Sequence, residues 1–252
     1  MIDVHNHILF GIDDGAKTLE DSIEIIKEAY KVGYKELILT PHFIEKSEYN
    51  CNNLGKITRF RSLQEYVKDF GIPVKLYLGN EVHIHDNIIE NIEEGNIMTL
   101  NASKYLLLEL PFRNRNYKVE EIIFELTRHD ITPVIAHVER YRYITEYDVI
   151  KMIELGCLIQ GNALSLIGKY GREAEENLKK YLKMNLIHVL ASDAHNTKAF
   201  KELKDIKKVV KKIVKNNDMV EDLFKLNPKK MIEDETIIPY QIKRKKQFSF
   251  FR

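Results

Sequence analysis

His5 and His7 lie one residue apart in the opening stretch IDVHNHILF, and Asp13 and Asp14 follow a few positions later. Side chains two apart on a strand share a face, so Asp3, His5 and His7 project one way while Val4 and Ile8 project the other, as core. Paired neutral imidazoles with carboxylates close by are how a metal site begins. An isolated H-x-H is more often a hydrogen-bonded pair near a strand end. The remaining ionisable residues decide between the two readings.

Those residues recur in a pattern. The strand-like run KELILTPHF ends in His42, PVKLYLGNEVHI carries Glu81, KYLLLELP carries Glu109, TPVIAHVER carries His137, and IHVLASDAHN carries Asp193 and His195. Each falls toward the carboxyl end of its run, where barrel enzymes build their sites. Core histidines do not produce that placement on six strands of seven, so the opening pair reads as one corner of a metal cluster. Imidazoles and carboxylates without a thiolate suit Mn²⁺, Fe²⁺ or Zn²⁺. Five histidines, two glutamates, Asp193 and an early aspartate exceed the needs of one ion, which implies two or three ions with a bridging carboxylate. Clustered ions lower the pKa of bound water toward neutrality and clamp both oxygens of a displacement at phosphorus. Arg140, three residues past His137, could fork onto phosphate oxygens. The chemistry expected is metal-assisted phosphoester hydrolysis.

The elements that must hold these side chains are legible in the spacing. Thr18 with Asp21 predicts a capping box, Leu19, Ile23, Ile26 and Tyr30 recur at helical spacing, and Gly33 closes the helix. An amphipathic stretch runs from about Leu54 to Phe70, and further helices centre on KVEEIIFELTRHD, YDVIKMIELG and EAEENLKKYLKMN. Seven strand candidates, most followed by a helix, predict an α/β fold with a parallel sheet covered by helices. A closed barrel is the leading architecture for one domain of this length, with a doubly wound open sheet as the alternative.

Composition narrows the function classes. The chain has 252 residues, 44% of them hydrophobic, and a formal net charge of +1, which excludes a nucleic-acid binder that works by phosphate neutralisation. No apolar run approaches a membrane span, the first residues do not form a signal peptide, and Cys51 and Cys157 are unpaired in sequence, so a cytoplasmic protein with reduced thiols is expected. Neither cysteine has an arginine six positions on, which removes the cysteine-phosphatase mechanism. Ser192 precedes Asp193 without a G-x-S-x-G elbow, which removes acyl transfer.

The motifs DVHNH, TPH, GNE, LLLELP, IAHVERY and SDAHN together resemble the PHP (polymerase and histidinol phosphatase) family, and more closely its bacterial capsule-cluster protein tyrosine phosphatases. The resemblance runs from Met1 through NPKKMI. It implies a distorted seven-stranded (β/α) barrel with the metal site at the carboxyl rim of the strands, three ions, commonly manganese, and a phosphorylated bacterial tyrosine kinase as protein substrate. It further implies that His5, His7, Glu81 and Asp193 hold one ion, His42, Glu81 and Glu109 a second, and Asp14, His137 and His195 a third. Spacing leaves Asp13 and Asp14 equivalent; the resemblance selects Asp14. Arg140, Asp14 and His42 are the expected catalytic groups. Relatives often carry an arginine shortly after the last histidine, where this chain has HNTKAFKELK, so Lys198 or Lys201 is the candidate replacement as a second phosphate contact.

His83, His85, His129 and His188 stay outside the expected ligand set. His129 reads as a partner for a helix dipole, and His188 starts its strand at the opposite end. Residues 1–240 read as one PHP phosphatase domain and 241–252 as a basic-aromatic tail, either solvated or docked on an anionic membrane surface or a partner. Competing functions are a small-molecule phosphatase, such as one acting on histidinol phosphate, a PHP phosphodiesterase, and a non-catalytic partner of a polysaccharide assembly complex.

Overall fold

The computed structural model describes residues 1–113 and 118–243. Nine strands appear among them: β1 (Ile2–Asp3), β2 (Glu36–Leu39), β3 (His42–Phe43), β4 (Lys75–Leu78), β5 (Glu81–His83), β6 (Tyr105–Glu109), β7 (Thr132–Ile135), β8 (Leu158–Asn162) and β9 (Val189–Ala191). The helices are α1 (Leu19–Lys31), α2 (Asn53–Asp69), α3 (Ile88–Glu93), α4 (Val119–Arg128), α5 (Glu146–Glu154), α6 (Arg172–Lys183), α7 (Thr197–Glu202), α8 (Ile206–Val214), α9 (Asn217–Glu221) and α10 (Asn227–Ile232). α1 begins at the expected capping box, with Thr18 and Asp21 bonded reciprocally. α2 starts one residue before the amphipathic stretch, capped by the Asn52 side chain on Gly55 N–H.

All strand pairs are parallel, in the orders β1-β2-β4 and β3-β5-β6-β7-β8-β9. Two of the seven expected runs are therefore each divided, the second into β2 and β3 at Thr40–Pro41, the third into β4 and β5 at Gly79–Asn80. As a consequence His42 and Glu81 open short second segments and do not close their strands. Backbone bonds run across the breaks, from Gly79 N to Leu39 O (2.9 Å) and from Glu81 N to Pro41 O (3.2 Å). The sheet curls, so that the continuation of β1 meets the end of β9: Asn6 and Ala194 form a parallel bridge, His7 N donates to Ala194 O at 2.9 Å, and Asp193 N donates to His5 O at 2.8 Å.

Alternation along the strands separates two apolar layers. Leu37, Leu39, Leu106, Leu108, Ile135, Ile159 and Leu190 pack with helix residues such as Ile26, Leu63 and Ile123. Ile38, Tyr105, Leu107, Val134, Leu158, Val189 and Ala191 pack inside the curl, with Met231 and Ile232 of α10. Continuing the inner register beyond these apolar residues leads to His42, Glu81, Glu109, Gln160 and Asp193. The curl therefore delivers the ionisable residues to one interior end.

Lys56 of α2 pins both strand breaks. Its buried Nζ donates to Asn80 Oδ1 at 2.6 Å and to the Asn96 carbonyl at 2.9 Å, while Asn80 Nδ2 donates to the Pro41 carbonyl at 2.9 Å. Burial lowers the Lys56 pKa from its ordinary 10.5 to about 7. Between those values the unfolded chain binds more protons than the folded one, so this group makes stability rise with pH. The unfolding free energy of the wild type relative to Lys56→Met is expected to grow between about pH 7 and pH 10, by about 1 kcal/mol per pH unit. Urea titrations across that range check this, and parallel stability curves would contradict it.

Candidate functional site

Glu81 occupies the centre of the interior end. Its carboxylate lies 3.2 Å from His5 Nε2, 3.2 Å from His7 Nε2, 3.1 Å from His42 Nδ1 and 3.0 Å from His137 Nε2. Asp193 Oδ1 stands 3.4 Å from His5 Nε2 and 3.3 Å from His7 Nε2, and Glu109 is 3.6 Å from His137 Nε2. On the open side, Asp14 Oδ1 is 3.3 Å from His195 Nε2 and 3.8 Å from His42 Nε2. Four groups each bring their donor atoms within 4.8 Å of one another: His7, Asp14, His42 and His195; His5, His137 and Asp193; His5, His7 and Glu81; and His42, Glu81 and Glu109. His137, just past β7, faces Glu81 and Glu109, and the histidine neighbours of Asp14 are His42 and His195.

Buried acceptors fix the rings. Asp13 Oδ2 takes His7 Nδ1–H at 2.7 Å and His42 N–H at 2.9 Å, and its Oδ1 takes Gly15 N–H. Asp13 thus orients His7, and Asp14 is the aspartate whose oxygen faces other donors. Gly15 is required here, because an added Cβ would sit 1.9 Å from the His7 carbonyl oxygen. Gln160 Oε1 accepts His137 N–H at 2.7 Å, which identifies it as the amide oxygen, and it lies 3.2 Å from His5 Nδ1, which must donate to it. With both Nδ1 atoms committed as donors, the neutral rings of His5 and His7 would turn their Nε2 lone pairs to one point, where the two atoms lie 3.4 Å apart. Two lone pairs and two carboxylates converging on one point match the donor set of a divalent cation. Gln160 escaped sequence analysis; its signal was a lone amide inside the apolar run CLIQGNAL. Two site residues, His137 (φ +31°) and Asp193 (φ +50°), hold left-handed backbone that non-glycine residues adopt at a cost.

The charges are strongly coupled. Burial works against ionising Glu81, yet His5, His42 and His137 hold its carboxyl well below the usual range. Burial and then the Glu81 charge push Glu109 up to about 8. Burial alone would lower His5 and His7; Glu81 and Asp193 raise His5 to about 9, and Asp13 holds His7 well above its ordinary value. Burial takes His137 down to about 4 and lowers His42. The hydrogen bond from His195 lowers Asp14, whose side chain is half exposed.

Arg140 ends a tight turn (Val138–Arg140) after β7, and its Nη1 donates to Asp193 Oδ2 at 2.8 Å. Its guanidinium lies 4.1 Å from the Tyr170 ring centre and 4.9 Å from that of Phe112. Of the lysines offered as a second phosphate contact, exposed Lys198 lies 3.7 Å from Glu202, and Lys201 sits in the last turn of the same helix, α7. His85 caps its own strand end through the His83 carbonyl, His129 is the C-cap of α4, and His188 accepts Ile159 N–H ahead of β9. Cys51 and Cys157 are free thiols, and burial raises Cys157. Gln241 and Lys243 are held by Asn185 and Met184, whereas the rest of the basic-aromatic tail, from Arg244 on, lies outside the described residues. No helix among the described residues is long and apolar enough to cross a membrane.

The chain is similar to known proteins. The chain is 35% identical over 198 residues to CapC of Staphylococcus aureus, covering 78% of this chain and 77% of that one. It is 30% identical over 258 residues to the tyrosine-protein phosphatase YwqE of Bacillus subtilis, covering all of both chains. A chain from the crystal structures of YwqE and of CpsB from Streptococcus pneumoniae, metal-dependent tyrosine phosphatases, superposes with a TM-score of 0.84 at 28% identity, over 97% of this chain and 100% of that one. The CpsB/CapC capsular polysaccharide synthesis family matches residues 1–233, and the chain belongs to that family.

Proposed function

We propose that this protein is a metal-dependent phosphotyrosine-protein phosphatase acting on an autophosphorylated bacterial tyrosine kinase that regulates capsular or exopolysaccharide synthesis. The observation that carries the reading is the convergence of His5, His7, His42, Glu81, Glu109, His137, Asp193, His195 and Asp14 beside Arg140, in a family whose relatives are tyrosine phosphatases. The same reading takes residues 1–240 as one domain, a distorted seven-stranded barrel in which β2–β3 and β4–β5 each count as one strand and the Asn6–Ala194 bridge supports closure. The metal site would then lie on the carboxyl rim. Two or three ions fit the donor set, and its imidazole content favours manganese, with Fe²⁺ and Zn²⁺ as competitors. Free thiols and a soluble kinase domain as substrate suit a cytoplasmic enzyme.

Bound divalent ions supply the charge that polarises water and phosphate oxygens. The chain's own groups do the rest. His5, His7, Glu81 and Asp193 form one holding set, Glu81, Glu109 and His137 a second, and Asp14, His42 and His195 a third. Asp13 and Gln160 keep the His7 and His5 rings turned inward. Arg140 spends one N–H on Asp193 and has the remainder of its fork for a phosphate dianion. Asp14, ionised and half exposed, and His42, neutral, border the open side; His42 would hold the ion there, and the second carboxylate oxygen of Asp14 can take a proton from water.

The direct test is metal-stripped protein reloaded with single ions and offered matched phosphotyrosine and phosphoserine peptides beside histidinol phosphate. Activity is expected to vanish on stripping, to return better with Mn²⁺ than with Mg²⁺, and to favour phosphotyrosine; full activity without metal, or a much higher kcat/KM on histidinol phosphate, contradicts the reading. Arg140→Ala should cost about 2–4 kcal/mol in kcat/KM, the scale of one preorganised electrostatic contact. Asp13→Ala should weaken Mn²⁺ binding about 10–100-fold in a chelator competition, because the His7 ring loses its orienting acceptor. Unchanged affinity in that variant would rule out the orienting role.

A further inference from the structure

Aromatic rings form a row across the cluster. Tyr49 stacks on His42 at 5.9 Å and 14°, His42 meets His7 at 4.4 Å, His7 meets His5 at 5.5 Å, His5 meets His137 at 5.6 Å, and His137 stacks under Phe112 at 5.5 Å and 20°. The inner rings are the polar donors of the site. Phe112, by contrast, has no polar atom to contribute, and it remains 42% exposed although its ring covers a buried imidazole.

Its position relative to Arg140 gives that exposure a direction. The guanidinium that would grip a phosphate lies 4.9 Å from the Phe112 ring centre, and Tyr170 backs the same guanidinium at 4.1 Å. Phe112 also leans on Tyr141 at 5.2 Å, whose hydroxyl accepts Leu110 N–H, so the ring is braced by His137, Tyr141 and Arg140 while part of it stays exposed. A monoester whose phosphate sits between Arg140 and the buried donors carries its first carbon group past the exposed part of this ring. An aliphatic group would leave most of the face wet. An aryl group would cover it with offset-stacked area.

Resting on the phosphatase reading above, the geometry points to Phe112 as the residue that recognises the substrate's aromatic ring and so confers preference for aryl over alkyl phosphate esters. The length of phosphotyrosine would let it reach the recessed donors, and Phe112 would add a separate, ring-specific contribution.

Binding without turnover separates the two. Manganese-loaded full-length protein is titrated by calorimetry with phenylphosphonate and methylphosphonate, which share the phosphoryl group and differ in the ring. Wild type is expected to bind phenylphosphonate about tenfold more tightly, and Phe112→Ala to reduce that ratio to about twofold while the methylphosphonate Kd stays within about twofold. Phe112→Tyr should restore the ratio and Phe112→Leu should not, and measured manganese content guards against a damaged cluster. A ratio retained in Phe112→Ala, or absent in the wild type, overturns the inference and leaves the phosphatase reading standing. Binding of neither phosphonate overturns the phosphate site itself, and the inference with it.

Discussion

One carboxylate, Glu81, meets four imidazoles within 3.2 Å while almost fully buried. A buried charge is tolerated only where opposite charge and donors surround it. The rest of the interior answers to that requirement. Glu109 cannot ionise freely beside Glu81, His5 and His7 are pulled toward the protonated state, and Arg140 and Asn162 share Asp193. Such a network concentrates more ligand atoms than its own protons can satisfy. His5, His7, Glu81 and Asp193 would hold a divalent ion in place of those protons, and its charge would offset the buried carboxylates.

Holding Glu81 there is a problem of backbone geometry. The residue opens β5 just after a break, and the break is set by Asn80, which reaches Pro41 on one side and Lys56 on the other. A single buried ammonium thereby couples α2 to both interrupted strands. Asp13 and Gly15 do the same for the first corner: the carboxylate locks His7 and the backbone N–H of His42, and the missing Cβ lets the loop close on the His7 carbonyl. Orientation of the donors depends on these uncharged or already paired neighbours as much as on the donors themselves.

Much of this was legible from sequence because it follows from local periodicity. The strand and helix alternation, the Thr18 capping box and the gathering of His5, His7, His42, Glu81, Glu109, His137, Asp193 and His195 needed only residue type and spacing. What escaped depends on contacts distant in sequence. The breaks at Pro41 and Asn80 are stabilised from α2, Gln160 acts on His5 from 155 residues away, and the pairing of His137 with Glu109, away from Asp14, is set by how the sheet curls. Lys198 and Lys201 are offered as stand-ins for an arginine on spacing alone, which cannot tell which helix face a lysine takes; exposed Lys198 lies 3.7 Å from Glu202 of its own helix.

The account stands on ions seated around Glu81. Diffraction from crystals of the manganese-loaded chain, collected at the manganese absorption edge, measures this directly. At least two anomalous peaks are expected inside the cluster, one of them within about 2.5 Å of both Glu81 and an Nε2 atom of His5 or His7. Anomalous density confined to surface carboxylates, with none at Glu81, would contradict the account.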